Sequence, residues 1–334
     1  MNRTTELLLL IFVVAPTTLW MSLAVYYHSR HRWLRVSIAL VPMSVVVSAV
    51  WLLPFVPWAL GAWLAMFVAT LVWWFSRRPR ADRDWADGMD VLPRVSIDGD
   101  LVRIEHFRHF KYDAAGYPLP HYEERIFDLA KLRSLDFFLS HWTGPVMAHT
   151  LVSFGFDDGQ YLAVSVEARR QKWQAYSPLW GLFRAYELMY VMGDERDIVR
   201  LRTNIRHERV YMYRVSLPVE RIRVLFVDYL KRAEAVARQP EWYNSITSNC
   251  TTNLFYHEHG QIRRRLRLGI FFNGLSARTL YKLGGLASEL PFSELQARSA
   301  IDDLALAAGD SADFSRQIRA RIIDPHPAIE ALTA

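Results

Sequence analysis

The chain has 334 residues, 51% of them hydrophobic and 22% charged, with a formal net charge of +6. Aromatic and aliphatic residues are abundant throughout and no low-complexity run occurs, which excludes a disordered or fibrous chain. Of the first 76 residues only Arg3, Glu6, Arg30, Arg32 and Arg35 are charged, which excludes a uniformly soluble protein. The remaining polar part carries only half of the net charge and no recognition motif, so nucleic acid is not expected as a partner.

Leu7 to Tyr26 is an apolar stretch interrupted only by Pro16, Thr17, Thr18 and Ser22, long enough to span about 30 Å of hydrocarbon as a helix. Val36 to Ser76 follows without a single charge and is broken by Leu53-Pro54-Phe55-Val56-Pro57, which reads as two further spans around a Pro-containing turn. Trp51, Trp58, Trp73 and Trp74 sit near the ends, as interface anchors do. Residues 1–76 are therefore expected to be a membrane anchor of three transmembrane helices, and a cleavable signal peptide fits poorly. Arg30, Arg32, Arg35, Arg77, Arg78, Arg80 and Arg83 then share one side with the polar domain, which the positive-inside rule assigns to the cytoplasm.

Residues 77–93 read as a charged linker. Arg94 to Phe107 alternates as a strand hairpin turning at Asp98-Gly99-Asp100, and Tyr122 to His141 reads as a strand followed by a short helix. Trp180 to Met192 and Glu195 to Arg202 read as helices, Val210 to Leu217 as a strand, and Val219 to Arg238 as an amphipathic helix behind Pro218. Ser248-Asn249 caps a helix starting at Cys250, and Leu290 to Ala308 is amphipathic. Strands and helices mixed without a regular βαβ rhythm predict an α+β fold, with a catalytic domain over residues 94–260 and a helical C-terminal region over 261–334.

Cys250 is the only cysteine, so no intramolecular disulfide and no cysteine metal cluster can form. A lone cysteine is commonly a small buried hydrophobe. At the first turn of a helix, however, free N–H groups and the dipole favour thiolate. Among eleven histidines, His149 opens an apparent hairpin through Asp157-Asp158-Gly159 to Glu167. With Gly159 in the left-handed position of a three-residue loop, Phe156 pairs with Gln160 and the ladder sets His149 opposite Glu167. A two-residue turn would put the two side chains on opposite faces. In the first register Cys250, His149 and Glu167 form a nucleophile, base and orienter; the plainer alternative is a half-buried ion pair in a sheet. His257-Glu258-His259 lacks the zincin spacing, and no metal or cofactor is expected. The run Arg263-Arg264-Arg265-Leu266-Arg267 reads equally as a solvated face or a patch for anionic lipid.

The segments His149–Phe156, Ser165–Arg170 and Tyr243–Asn253 resemble the Lnb N-terminal periplasmic domain family, as do Asp82–Ala86, Tyr186–Val191 and Glu195–Asn204. The likeness covers roughly Asp82 to His259. It implies a circularly permuted papain/NlpC-like thiol fold, with Cys250 as nucleophile, His149 as base and Glu167 as the less secure third member. It also implies lipoprotein N-acylation at a bacterial inner membrane: a phospholipid acyl donor, a Cys thioester and a diacylglyceryl lipoprotein acceptor. That chemistry belongs to the periplasmic face, against the arginine count. A cell-envelope cysteine amidase or peptidase acting on peptidoglycan is the alternative, and a non-catalytic membrane adaptor is a third.

Overall fold

The computed structural model describes residues 10–51, 56–254 and 273–322. Three helices open it: α1 (Ala15–His28), entered through a π-helical turn at Leu10–Val14, then α2 (Arg32–Trp51) and α3 (Val56–Ser76). Among the described residues no helix is long and apolar enough to cross a membrane, which corrects the expected three spans. The regular part of α1 has 14 residues, about 21 Å at 1.5 Å each and short of a bilayer core. Helix α2 begins with Arg32 and Arg35. Helix α3 turns Trp63 and Trp74 inward, where Trp63 donates to the Thr18 hydroxyl at 3.0 Å and Trp74 packs edge-on to Trp20. Residues 1–9 and 52–55, which the expected spans include, lie outside the described residues. The outward surface of these helices is nonetheless apolar, with Phe12, Leu19, Trp33, Trp58, Val72 and Phe75 all exposed.

The rest is α+β. Strands β1 (Arg94–Asp98) and β2 (Leu101–Arg108) form the expected hairpin, followed by a small hairpin of β3 (Lys111–Tyr112) and β4 (Pro118–Leu119). Then come β5 (Tyr122–Asp128), β6 (Leu132–Thr143), β7 (Met147–Phe156) and β8 (Tyr161–Arg169). After the short helix α4 (Pro178–Leu182) follow β9 (Glu187–Gly193), α5 (Glu195–Arg200) and β10 (Arg209–Arg214). Eight strands make one sheet in the order β1-β2-β9-β8-β7-β6-β10, with β5 pairing β2 on the side.

Two sequence expectations fail here for one reason. Leu132–Thr143 is a long strand where a short helix was expected, and Glu187–Gly193 is a strand inside the stretch expected as a helix. Both lie inside the sheet with side chains buried on either face, so their apolar runs carry no period that separates strand from helix.

Helix α6 (Val219–Arg238) covers one face of the sheet. Its buried Ile222, Leu225, Phe226, Tyr229, Leu230, Ala233 and Val236 follow the helical repeat, and Phe226 meets Phe154 at 4.8 Å between ring centroids. On the other face α5 and the C-terminal residues pack around Phe138, Leu151, Met189, Ile301, Ala305 and Phe314. Residues 273–322 therefore share the cores of the preceding domain. The amphipathic stretch Leu290 to Ala308 holds two helices, Phe292–Ser299 and Asp302–Ala308, because Ala300 leaves the helix to bridge Tyr211 on β10.

Candidate active site

The β7–β8 loop has the three-residue form. Phe156 donates its N–H to Gln160 O at 3.0 Å, and Gly159 sits at φ +82°, a conformation any side chain would strain. The ladder runs Gly155 opposite Tyr161 through Leu151 opposite Ser165. This is the register the sequence anticipates, and two residues further out it aligns His149 with Glu167. Their side chains approach to 3.2 Å, His149 Nε2 to Glu167 Oε1. Ser165, two residues before Glu167 on the same strand face, fills the gap: its hydroxyl lies 2.7 Å from His149 Nε2 and 2.7 Å from Glu167 Oε1.

Cys250 opens α7, described over Cys250–Leu254. Asn249 caps it, its Oδ1 accepting the Thr252 N–H at 2.8 Å. The helix lies across β7, with Thr251 Oγ1 3.2 Å from Thr150 Oγ1 and the Leu254 carbonyl held by the Tyr229 hydroxyl. That contact sets the Cys250 sulfur close enough to His149 and Thr150 for both to act on its ionisation. Since Nε2 faces Ser165 and Glu167, the other ring nitrogen is left for the thiol. The structure thus brings all three expected site residues into one cleft.

Electrostatics favour an ion pair. Burial raises the Cys250 thiol, but His149 and the Thr150 donors outweigh it and bring the pKa down to about 7. Burial and Arg202 both depress His149, yet Glu167 and the Cys250 thiolate push it up to about 9. Glu167 is buried too, which raises it, but His149 and Arg202 hold it well below the ordinary carboxylate range. At neutral pH the cleft therefore favours thiolate beside imidazolium.

Four further residues complete the site. Arg202, buried on the π-helical turn Leu201–Ile205 after α5, donates to Glu167 at 2.9 Å and to Glu208 Oε2 at 3.2 Å, and Glu208 also receives the Ser140 hydroxyl. Asn273 points its amide at the cleft, with Nδ2 3.6 Å from Cys250 Sγ and 3.3 Å from Ala148 O. Gly274 locks that placement. Its N–H binds Val146 O at 3.0 Å, and a Cβ there would lie 2.2 Å from the Pro145 carbonyl oxygen. Ser165 could have been found from its i, i+2 spacing to Glu167; Arg202 and Asn273 carry no local sequence signal.

The cavity above Cys250 measures about 270 Å³ and is bounded by His149, Glu167, Tyr176, Tyr243, Arg170 and Arg206, among others. Of its lining residues Trp142 and Tyr176 are exposed aromatic side chains. Trp142 meets Tyr176 edge-on at 5.9 Å. From this pair aromatic contacts lead to the N-terminal helices: Tyr176 stacks on Tyr186, Tyr186 on Trp180, and Trp180 meets Tyr27 of α1 at 5.5 Å.

Other histidines stand apart from the cleft. His109 pairs with Asp194 at 3.3 Å, and His106 lies at φ +58° where β2 bulges against β5. His257, His259 and the run Arg263 to Arg267 lie outside the described residues.

No curated protein and no solved structure matches the chain. A family model does: the Lnb N-terminal periplasmic domain aligns with residues 119–280, a stretch that contains His149, Glu167, Arg202, Cys250 and Asn273. Over residues 119–280, the stretch that holds the cleft, the chain is similar to the Lnb N-terminal periplasmic domain family.

Proposed function

We propose that this protein is a thiol acyltransferase seated at a membrane of the bacterial envelope, which moves an acyl chain from a phospholipid through a Cys250 thioester to the N-terminal amine of a diacylglyceryl lipoprotein. The observation that carries this reading is Cys250 beside His149 and Glu167, in a cleft whose lining includes the exposed aromatic side chains of Trp142 and Tyr176. A peptidoglycan amidase needs an open polar cleft for its sugar and peptide substrates. Beside the charged wall of Glu167, Arg170, Arg202 and Arg206, the exposed Trp142 and Tyr176 offer a surface that acyl chains seek. The apolar face of α1, α2 and α3 and the aromatic contacts joining it to the cleft support a site seated at a bilayer, and the family supports its periplasmic side. The chain order His149, Glu167, Cys250, with the cysteine opening a helix packed on the sheet, suits a permuted papain-like arrangement.

In the first step the thiolate of Cys250 attacks the ester carbonyl carbon. The C–O bond breaks, and the imidazolium of His149 gives its proton to the departing glycerol oxygen. In the second step the lipoprotein α-amine attacks the thioester carbon. His149 takes the amine proton as the C–S bond breaks, and an amide and free thiolate result. Each step passes through an oxyanion beside the sulfur. The Cys250 N–H at the helix start and the Asn273 amide are the donors placed to receive it. Asn273→Ala is expected to lower the acylation rate about 100-fold with little change in substrate affinity; an unchanged rate removes Asn273 from this role.

The reading is tested by intact-mass measurement of the purified protein in phospholipid micelles. The expected result is a fatty-acyl mass increment, labile to hydroxylamine, on wild type. No adduct with any phospholipid overturns the acyl-transfer reading and makes peptidoglycan fragments the next substrate.

A further inference from the structure

Two arginines on the wall of the cleft have no carboxylate within hydrogen-bond distance among the described residues. Arg170, just past the end of β8, and Arg206, at the end of the turn that carries Arg202, both line the cavity above Cys250. Both also line a neighbouring cavity of about 180 Å³ bounded by Arg108, Tyr112 and Ile198. They therefore belong to the boundary that the two cavities share, together with Glu167 and Arg202.

The nearby acids are engaged elsewhere. Asp197 takes both donors of Arg108, at 2.7 and 2.9 Å. Glu167 receives Arg202 and Ser165 and faces His149, and Glu208 receives Arg202 and Ser140. Arg206 comes no closer than 3.8 Å to Glu208, beyond hydrogen-bond distance. The Arg170 guanidinium reaches only the Gln174 carbonyl, at 3.4 Å, and forms no ion pair among the described residues. Asp87, the remaining acid on the second cavity, is solvent-exposed. Partial burial and the charge of Arg202 lower the pKa of Arg206 while Glu167 and Glu208 raise it, and its side chain, 43% exposed, stays open to an anion.

We propose that Arg170 and Arg206 form a phosphate-binding subsite of the cleft, which holds the phosphodiester of a lipid headgroup while the acyl ester reaches Cys250. Guanidinium groups match the oxygens of a phosphate in pairs, and this pair opens onto the cavity that contains the nucleophile. The headgroup assignment rests on the acyl-transfer reading, whereas the phosphate chemistry does not. Free inorganic phosphate presents the same chemistry.

The test is equilibrium binding by calorimetry to full-length Cys250→Ala protein, in which no turnover can occur. Its probes are dihexanoyl phosphatidylglycerol, dihexanoylglycerol and inorganic phosphate. The phospholipid is expected to bind about tenfold more tightly than the neutral diglyceride, and Arg170→Gln with Arg206→Gln to bring the two within about twofold. Lysine at both positions is expected to keep part of the preference, because charge remains while the planar fork is lost. Should the double Gln variant fail to fold, each single variant, with an expected three- to fivefold loss of preference (about half the effect on a logarithmic scale), decides the matter. Inorganic phosphate binding as tightly as the phospholipid assigns the subsite to free phosphate; much weaker phosphate binding assigns it to the headgroup. Equal affinity for the two lipids without phosphate binding, or a preference that survives both Gln substitutions, overturns the proposal. Failure of the acyl-transfer reading shows separately, as a wild-type protein that binds the phospholipid selectively and never forms an adduct.

Discussion

Cys250→Ser is expected to abolish the hydroxylamine-labile adduct and to lower acyl transfer by at least about 1,000-fold, with His149→Ala costing a similar amount. A serine hydroxyl has almost the same volume, so the buried position at the start of α7 tolerates it and the fold survives. What is lost is ionisation. The cleft brings a thiol down to about 7 through His149 and the Thr150 donors, and the same surroundings leave an alcohol protonated at any working pH. His149→Ala removes the main group that holds the thiolate and also the proton donor for the leaving glycerol oxygen. Because the two residues act as a unit, the double variant is expected to be hardly worse than either single one. Circular dichroism checks that each variant is folded. A Cys250→Ser protein that retains full activity would return the thiol to the inert buried role common for lone cysteines.

Physical circumstances decide what of this site could be read from the sequence. The His149–Glu167 pairing was legible because the information is local: Gly159 selects the turn, the turn sets the register, and the register places the side chains. Helix Val219–Arg238 was legible because it buries one face only, behind Pro218. Strands Leu132–Thr143 and Glu187–Gly193 were not, since burial on both sides erases the period. The break at Ala300 is a tertiary event, a bridge to Tyr211 that no neighbouring residue announces. Arg202 and Asn273 reach the site from a π-helical turn and from a short turn held on the β6–β7 hairpin by Gly274. Such residues become part of a site only when separate segments meet.

Glu167→Gln is expected to lower acyl transfer about 100-fold or more and to reshape its pH dependence. In the wild type the rate rises as Cys250 ionises, near 7, and falls as the His149 imidazolium loses its proton, near 9. Between those limbs the thiolate attacks and the imidazolium protonates the leaving oxygen. Glu167 and the Cys250 thiolate together outweigh burial and the Arg202 charge, which both act to lower the His149 pKa. Glutamine keeps the shape and can still accept from Ser165, but it removes that negative charge and leaves Arg202 facing the imidazole with only Glu208 to balance it. The His149 pKa then falls, so the alkaline limb moves to lower pH. The thiol loses its imidazolium partner over the same range, so the acid limb moves up. The active window narrows from both sides, and its maximum falls. A pH–rate profile of adduct formation for wild type and Glu167→Gln reads this directly. Equal depression at every pH, with both limbs in place, would mean that Glu167 only braces the sheet; converging limbs identify it as the group that keeps His149 charged.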